Sequence, residues 1–410
     1  MTDYYTSQFV FEDGHNDFAI YLRYSYKNHL YQRNFTEPFK SGDLGQHADL
    51  DRLTRGRVGG TFWCAFAFCP RVSEEYTPEY FSNSYQTANA ELDTLRRIIT
   101  AYPDRFSLPH DSSDVESIVH AGKIASPLCI EGLHIIGDSI ATLRNYYALG
   151  VRYATLTHNC HNSYADAAMV DLLSGGSAAA EPYCGGVSPL GQKLIKEMNR
   201  MGMMVDLSHT SFDTMRDVLG GSPEKGWNGS LAPVMFSHSS AYALCLHPRN
   251  VPDDVLYLVK NTNSVVMVTF ATDFNSCREP KYENRTNGLP EFYPPNSTIT
   301  HVVEHIRYIG DLIGYDHVGL GSDFDGIFDV PRGMEDVSKF PDLVAEMILQ
   351  GVSDDDVSKV VGQNILRVWR NVDAVAERLK ANGAHALEDD IPWEKRPNEP
   401  ENGGKLRRIE

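Results

Sequence analysis

The chain has 410 residues, of which 42% are hydrophobic and 22% are charged, an ordinary composition for a globular protein. Its formal net charge of −18 argues against a nucleic-acid partner, because phosphate binding requires clustered Lys and Arg. The sequence has no run of about twenty apolar residues, so it predicts no transmembrane helix.

The two ends of the chain carry no targeting signal that we recognise. The start, MTDYYTSQFV, lacks the basic and apolar segments of a secretory signal. We therefore expect a cytoplasmic protein, with secretion as the alternative if a signal has been removed. The stretch from Pro392 is polar, rich in Pro and Gly, and not followed by a hydrophobic anchor segment. We expect one domain over residues 1–390 and a polar tail over residues 391–410.

Eight short apolar runs recur along the chain, and most of them end in residues that can bind metals or protons. The runs are continuous and not alternating, which is typical of parallel strands buried on both faces. In chain order they are QFVFEDGHND, GGTFWCAFAFC, SPLCIEG, VRYATLTHN, GMMVDLSH, APVMFSHS, SVVMVTF and HVGLGSDFDG.

Segments with helical signals separate most of these runs. DSIATLRNYYALG is predicted to begin at an Asp138 cap and to end at Gly150, and GQKLIKEMNRMG is predicted to end at Gly202. HTSFDTMRDVLGG and VPDDVLYLVKNT repeat the pattern. Alternating strands and helices predict parallel pairing through right-handed crossovers, and eight such units predict a (β/α)8 barrel.

The polar ends of the runs predict a site. An isolated His-x-Asp is more often a surface turn, and a single strand-end histidine is more often a structural residue. In a barrel, however, active sites lie at the C-terminal ends of the strands. Seven residues able to bind a metal end these runs, and all of them would meet at one end of the barrel: His15, Asp17, Glu131, His158, His209, His238 and Asp323.

These candidate ligands are imidazoles and carboxylates, without thiolates. Such a set suits Zn²⁺, Mn²⁺, Fe²⁺ or Co²⁺ in a catalytic site that also binds water. It exceeds what one tetrahedral ion needs, so we expect two ions bridged by a carboxylate and a hydroxide. Paired ions stabilise both the attacking and the leaving side of a hydrolysis.

Seven motifs resemble those of the renal (membrane) dipeptidase family, the M19 metallopeptidases. They are DGHND, IEG, THNCHNSYAD, DLSHTS, FSHSSAY, HPRNVPDD and GSDFDG. The resemblance extends from Asp13 to Val372. It implies a dinuclear zinc (β/α)8 barrel that hydrolyses free dipeptides, with cysteinylglycine units among the candidate substrates.

The resemblance implies a set of metal ligands. His15 and Asp17 would bind one ion, and His209 and His238 would bind the second. Glu131 would bridge the two.

The resemblance also implies three residues that contact substrate. His158 would stabilise the carbonyl oxygen as it becomes tetrahedral, which requires a positioned donor. Arg249 would bind the C-terminal carboxylate of the substrate, which a guanidinium matches in shape. Asp323 would carry the proton between the bridging water and the leaving amine.

Four polar residues near these motifs receive no catalytic role. Asp325 is expected to cap a loop. Surface or supporting positions are expected for His134, His161 and His247.

The seven cysteines form no Cys-x-x-Cys pair, which argues against a thiolate zinc site. The resemblance implies two disulfides, Cys69–Cys160 and Cys245–Cys277. From the family we also expect a homodimer. The chain has no counterpart to the late cysteine that links subunits in the animal membrane forms, nor to their lipid-anchor signal, so a disulfide-linked dimer and membrane attachment are not implied.

Two rival functions remain open. Another metal-dependent amidohydrolase would act on N-acyl amino acids or cyclic amides, but many of those begin with His-x-His and bridge their ions through a carbamylated Lys. A non-catalytic binding homologue would have lost a ligand, and none is missing. We also expect the loop over residues 277–298 to overhang the site.

Overall fold

A computed structural model of the chain describes residues 11–69, 81–280 and 287–388. Each predicted apolar run coincides with one strand of a closed parallel barrel to within one residue at the start of the second. In order, β1 to β8 are Phe11–Asn16, Val58–Phe66, Leu128–Glu131, Val151–Thr155, Met204–Asp206, Met235–Phe236, Val265–Val268 and Val318–Leu320. Each strand pairs in parallel with the next, and β8 pairs with β1. The predicted (β/α)8 barrel is confirmed.

Helices connect the strands around the outside of the barrel. In order, α1 to α14 are Phe18–Tyr26, Arg33–Ser41, Leu50–Arg55, Ser82–Ala101, Asp114–His120, Ile140–Leu149, Pro189–Met201, Phe212–Gly220, Asp253–Asn261, Thr272–Asn275, Ile299–Ile313, Phe340–Leu349, Asp354–Ser358 and Asn364–Ala381. A π-helical turn, Lys359–Gln363, joins the last two. Across the described ranges, none of these helices is both long and apolar enough to cross a bilayer.

Several short strands lie outside the eight-stranded barrel. Two small parallel strands, Phe106–Ser107 and Ile124–Ala125, extend the sheet beside β2. Antiparallel hairpins follow β4 and β7; they pair Met169–Asp171 with Ser177–Ala179 and Cys277–Arg278 with Glu291–Phe292. The second hairpin belongs to the loop expected to overhang the site, of which residues 281–286 lie outside the described residues. The predicted tail, residues 391–410, also lies outside them.

One predicted helix cap is wrong. The cap of α6 is Ser139, whose hydroxyl accepts a backbone hydrogen bond from the first helical turn. An N-cap needs extended backbone, which Ser139 has, whereas Asp138 is left-handed with φ of 54°. The predicted stops at Gly150 and Gly202 are confirmed, and both residues have positive φ.

Large side chains fill the interior of the barrel. Phe62 packs against Tyr153 at a ring-centroid distance of 5.2 Å and against Trp369 of α14 at 5.6 Å. All three side chains are buried. The barrel interior is therefore a packed core and not a pore. A binding site has room to form at the C-terminal ends of the strands, above Tyr153.

Gly321, directly after β8, offers a test of this packing. An added Cβ would lie 1.7 Å from the backbone oxygen of Ser237, so backbone would have to move. We expect Gly321→Ala to destabilise the fold by about 1–3 kcal/mol or more, measured as a lower urea midpoint. The matched control is Gly220→Ala at the end of α8, where the nearest atom is 3.4 Å away. Equal midpoints for the two variants would contradict the close strand approach.

Candidate metal centre

One oxygen of Glu131, at the end of β3, is the point on which three histidines converge. Oε1 lies 3.7 Å from His15 Nε2, 2.9 Å from His209 Nε2 and 3.3 Å from His238 Nε2. These histidines come from the ends of β1, β5 and β6. All four side chains are buried, so one carboxylate oxygen faces three imidazole nitrogens away from bulk water.

Two groups of potential ligands share this carboxylate. The first contains His15, Asp17 and Glu131, and the second contains Glu131, His209 and His238. Within each group the ligand atoms lie within 4.8 Å of one another. The structure thus brings together all five residues that the resemblance nominates as ligands, in two sets joined by Glu131.

A hydrogen bond at Nδ1 orients each of the three imidazoles. The partners are the Tyr153 hydroxyl for His15 at 2.7 Å, Asn159 Oδ1 for His209 at 3.1 Å and the Ser237 hydroxyl for His238 at 2.7 Å. The Tyr153 hydroxyl donates its own proton to the Gly14 carbonyl, so it accepts from His15. The Nδ1 hydrogen bonds therefore hold a proton on Nδ1 of each ring and turn Nε2, the nitrogen that would bind a metal, toward Glu131.

Asp206, the last residue of β5, completes the support of His238. Its Oδ2 accepts from the Ser237 hydroxyl at 2.6 Å and from the Thr155 hydroxyl at 2.5 Å, and its Oδ1 accepts from the Ser237 amide at 2.7 Å. Because the Ser237 proton points to Asp206, its oxygen can only accept from His238. Asp206 is not among the predicted site residues, although a carboxylate at the end of an apolar strand is a usable sequence signal.

Two buried polar atoms of the candidate ligands make no hydrogen bond of normal geometry within the described residues. They are Asp17 Oδ1 and His238 Nε2. Burial and the nearby charge of Asp17 raise the pKa of Glu131, and burial lowers the pKa of His209 and of His238. Neutral imidazoles and poorly compensated carboxylates are the donors that divalent cations prefer, so the residues fit metal binding.

Arg249, in the loop after β6, is fully buried. Within the part of the chain that the structure describes, its three guanidinium nitrogens have no hydrogen-bond partner. Its guanidinium carbon lies 4.7 Å from the ring centroid of Phe274. Burial lowers its pKa to about 10, which still leaves it charged at neutral pH. A buried unpaired cation at a cavity wall is poised to receive an anion, because leaving it unpaired is unfavourable.

Two other predicted residues complete the cavity wall. The ring of His158, after β4, lies 4.2 Å from that of His209. Asp323, after β8, shares a potential ligand group with His15 and His238 and has a left-handed φ of 63°. Burial raises the pKa of Asp323 to about 7, so both of its protonation states are accessible near neutral pH.

These groups face one cavity of about 720 Å³ at the C-terminal ends of the strands. The predicted site residues that line it are Asp17, Glu131, His158, His209, Arg249 and Asp323. His15 and His238 are not among the lining residues and are fully buried. The cavity thus brings together candidate metal-binding groups, a buried guanidinium and an ionisable carboxyl group.

The residues without a catalytic role hold the surrounding loops. Asp325 accepts from the His47 amide at 2.8 Å and donates its own amide to the His47 ring at 3.0 Å, as expected for a loop-capping residue. His134, His161 and His247 are buried, so the surface alternative is wrong for each. His247 accepts a hydrogen bond from the Arg249 amide at 3.2 Å, a supporting position.

The two implied disulfides are confirmed. Cys69 pairs with Cys160 and Cys245 pairs with Cys277, at Cα separations of 5.8 and 5.2 Å. The first bond joins the segments after β2 and β4, and the second joins those after β6 and β7. Both therefore tie loops together at the end of the barrel that carries the cavity.

The support of His238 gives a test that does not depend on knowing the substrate. Ser237→Ala removes the acceptor for the His238 Nδ1 proton and should lower metal affinity about 10–100-fold, measured by competition with a chelating dye. The matched control is Ser239→Ala, because the Ser239 hydroxyl bonds Ser208 at 3.3 Å and not the histidine. Equal affinities in both variants would exclude this role of Ser237.

The description of the matching family model is membrane dipeptidase (peptidase family M19), and the match covers residues 4–383. Dipeptidase aclJ of Aspergillus oryzae is 44% identical over 384 residues, which is 92% of this chain and 81% of that protein. Dipeptidase verJ of Clonostachys rogersoniana is 39% identical over 92% of this chain and 88% of its own length.

Solved structures agree with these relatives. A dipeptidase AC structure, described as an M19 metallopeptidase, is 25% identical with a TM-score of 0.70 and covers 89% of this chain and 98% of its own. The probable dipeptidase PvdM of Pseudomonas aeruginosa has a TM-score of 0.74 over 92% of this chain and 98% of its own, and at 22% identity it bears on the fold alone. This chain therefore belongs to the membrane dipeptidase family, peptidase family M19, and is a metallopeptidase that hydrolyses peptide bonds.

Proposed function

We propose that this chain is a dinuclear zinc dipeptidase that hydrolyses free dipeptides. The observation that supports this most is the position of Glu131, whose Oε1 lies within 3.7 Å of three histidine nitrogens. His15 and Asp17 would hold one ion, and His209 and His238 the other, with Glu131 between them. Divalent cations held there supply Lewis acidity toward a carbonyl oxygen and make hydroxide available near neutral pH. The same donors also suit Mn²⁺, Fe²⁺ or Co²⁺.

Arg249 would recognise the free C-terminal carboxylate of the substrate. Its unpaired guanidinium can bind the α-carboxylate through two parallel charge-assisted hydrogen bonds. The Phe274 ring beneath the guanidinium restricts its orientation. The arginine lines the same cavity as Asp17, Glu131 and His209. We therefore propose that the substrate extends one residue beyond the bond that is cut before its carboxylate reaches the guanidinium.

His158 and Asp323 would carry out the remaining chemistry. Burial lowers the pKa of His158, so the ring is neutral and can donate one N–H to the carbonyl oxygen as negative charge develops there. Asp323, whose pKa is about 7, would accept the proton of the attacking water and deliver it to the leaving amine. A carboxyl with that pKa can perform both transfers near neutral pH.

The lining of the cavity also bears on the rival amidohydrolase. Asp273 and Asp329 line the cavity along with the carboxylates already described. An acidic wall favours a substrate with a free α-ammonium group over an N-acyl amino acid, which is neutral at that position. We therefore propose dipeptides as the substrate class, with cysteinylglycine as one candidate.

Replacing the shared carboxylate tests the dinuclear site. We expect Glu131→Gln to abolish nearly all activity and to lower the bound zinc below two ions per chain, because an amide is a poor metal ligand. Activity on a dipeptide and zinc content by mass spectrometry are measured together.

The control for this change is Glu91→Gln. Glu91 is also buried, its Oε2 accepts from the Phe66 amide at 2.8 Å, and burial raises its pKa to about 8. It is therefore already protonated at neutral pH, and glutamine can replace it as an acceptor. We expect activity to be retained in this variant. Full activity in Glu131→Gln, or in a chelated metal-free sample, would rule out the dinuclear site.

Arg249 is tested by comparing a dipeptide with its C-terminal amide. In the wild type the amide should be cleaved about 10–150-fold less efficiently in kcat/KM, corresponding to ~1.5–3 kcal/mol of lost charged hydrogen bonding. Arg249→Ala should weaken cleavage of the free dipeptide and narrow that difference, and Arg249→Lys should recover only part of it. Equal cleavage of both substrates by the wild type would disprove carboxylate anchoring and favour the amidohydrolase alternative.

A further inference from the structure

We propose that the Cys69–Cys160 disulfide is a positioning element, which holds the His158 ring where it can reach the substrate carbonyl. The inference rests on the catalytic role proposed above for His158. Cys69 Sγ lies 3.8 Å from His158 Nδ1, and Cys160 is two residues further along the same segment. The bond thus contacts the ring directly and also anchors the backbone that carries it.

Few groups contact the His158 ring and could fix its position. Across the described residues its ring has no hydrogen bond to a nitrogen or oxygen atom. On one side it packs against Phe66, at a ring-centroid distance of 4.5 Å, and on the other against His209 at 4.2 Å. Phe66 and Cys69 both belong to the end of β2 and the residues just after it. The position of the ring therefore depends on how this end of β2 is fixed relative to the segment after β4.

Each of the two segments has an anchor of its own. After β2, the Ala67 carbonyl accepts from His134 Nε2 at 2.8 Å. After β4, Asn159 donates to Asp171 at 3.2 Å. Neither anchor crosses from one segment to the other, whereas the disulfide does. Without it, both segments can stay folded while the sulfur contact on His158 is lost.

Asn159 creates a second route that an experiment has to exclude. This residue lies between His158 and Cys160, and its Oδ1 orients His209 at 3.1 Å. Loss of the disulfide could therefore disturb a proposed metal ligand as well as the His158 ring. Zinc content must accordingly be measured in every variant, and kcat compared at equal metal loading.

The other disulfide provides a matched control. Cys245–Cys277 lies between the segments after β6 and β7, and the described contacts of His158 do not include it. It spans 32 residues, whereas Cys69–Cys160 spans 91, so removing the latter should destabilise the chain more in an entropic account. Assays should therefore be run well below the unfolding temperature of each variant.

The experiment is a double-mutant cycle between the disulfide and His158. We expect Cys69→Ala/Cys160→Ala to lower kcat about 10–100-fold with a much smaller change in KM, since a misplacement of about 1 Å at a reacting group has effects of this size. Cys245→Ala/Cys277→Ala should leave kcat near the wild-type value. In a His158→Ala background, removing Cys69 and Cys160 should change kcat little further, because the ring they position is absent.

Binding of a phosphinate dipeptide analogue gives a readout independent of turnover. Its tetrahedral phosphorus imitates the tetrahedral carbon, so Cys69→Ala/Cys160→Ala should weaken it by a factor similar to the loss in kcat. Affinity for a free product amino acid should change much less. Equal losses for both ligands would indicate general damage to the cavity and would overturn the proposal.

The outcomes separate this inference from the proposed function. If His158→Ala itself leaves kcat unchanged, the role proposed for His158 is wrong and the inference fails with it. If His158→Ala lowers kcat but removing the disulfide does not, or if the two losses multiply, the disulfide only stabilises the fold. Should the double alanine variant fail to fold, a phosphine can reduce Cys69–Cys160 in the Cys245→Ala/Cys277→Ala protein with excess Zn²⁺. Unchanged kcat, with both thiols shown free by mass spectrometry, would then overturn the proposal.

Discussion

The interaction on which the rest of the site depends is the approach of three buried imidazoles to one oxygen of Glu131. Asp17, Glu131 and Asp323 are all buried around it, and Arg249 is the buried cation that faces the same cavity. Carboxylates in such a place are unfavourable when ionised, which is why burial raises the pKa of Glu131 and Asp323. Divalent cations would supply the positive charge that these buried carboxylates need. Metal binding would therefore be coupled to the stability of the folded site.

The barrel makes this concentration of polar groups possible. A closed parallel sheet brings the ends of all eight strands to one rim, so residues distant in sequence meet there without long loops. Beneath them, Phe62, Tyr153 and Trp369 fill the interior. The same layer supplies the Tyr153 hydroxyl that orients His15. Packing and ligand orientation are therefore properties of one rigid structure, and the disulfides extend that rigidity into the loops above it.

Much of the architecture could be predicted from sequence because its signals are local. Continuous apolar runs mark buried parallel strands, and metal-binding residues at their ends mark the rim. The hydrogen bonds behind the ligands could not be predicted in this way. The contacts of Asp206 with Thr155 and Ser237 exist only because β5 aligns Asp206 with Thr155 of β4 and with Met235 of β6, and register between strands is not visible in a single sequence.

The N-cap of α6 and the burial of the loop histidines could also not be predicted from residue types. Asp138 and Ser139 are both good caps, and the choice between them depends on which one has extended backbone. The sequence around loop histidines such as His134 and His247 does not show whether the side chain is exposed to solvent or buried against the barrel. Identifying individual ligands and their roles relied on the resemblance, whereas the geometry shows how five of those side chains can act together.

Anomalous diffraction at the zinc absorption edge, from crystals of the zinc-loaded protein, would locate the ions in the proposed dinuclear site. We expect two peaks about 3.5–4 Å apart, the spacing of paired catalytic ions. One should lie beside His15 and Asp17 and the other beside His209 and His238, with Glu131 in contact with both. A single peak at full zinc loading, or two peaks of which neither contacts Glu131, would contradict the proposed dinuclear site.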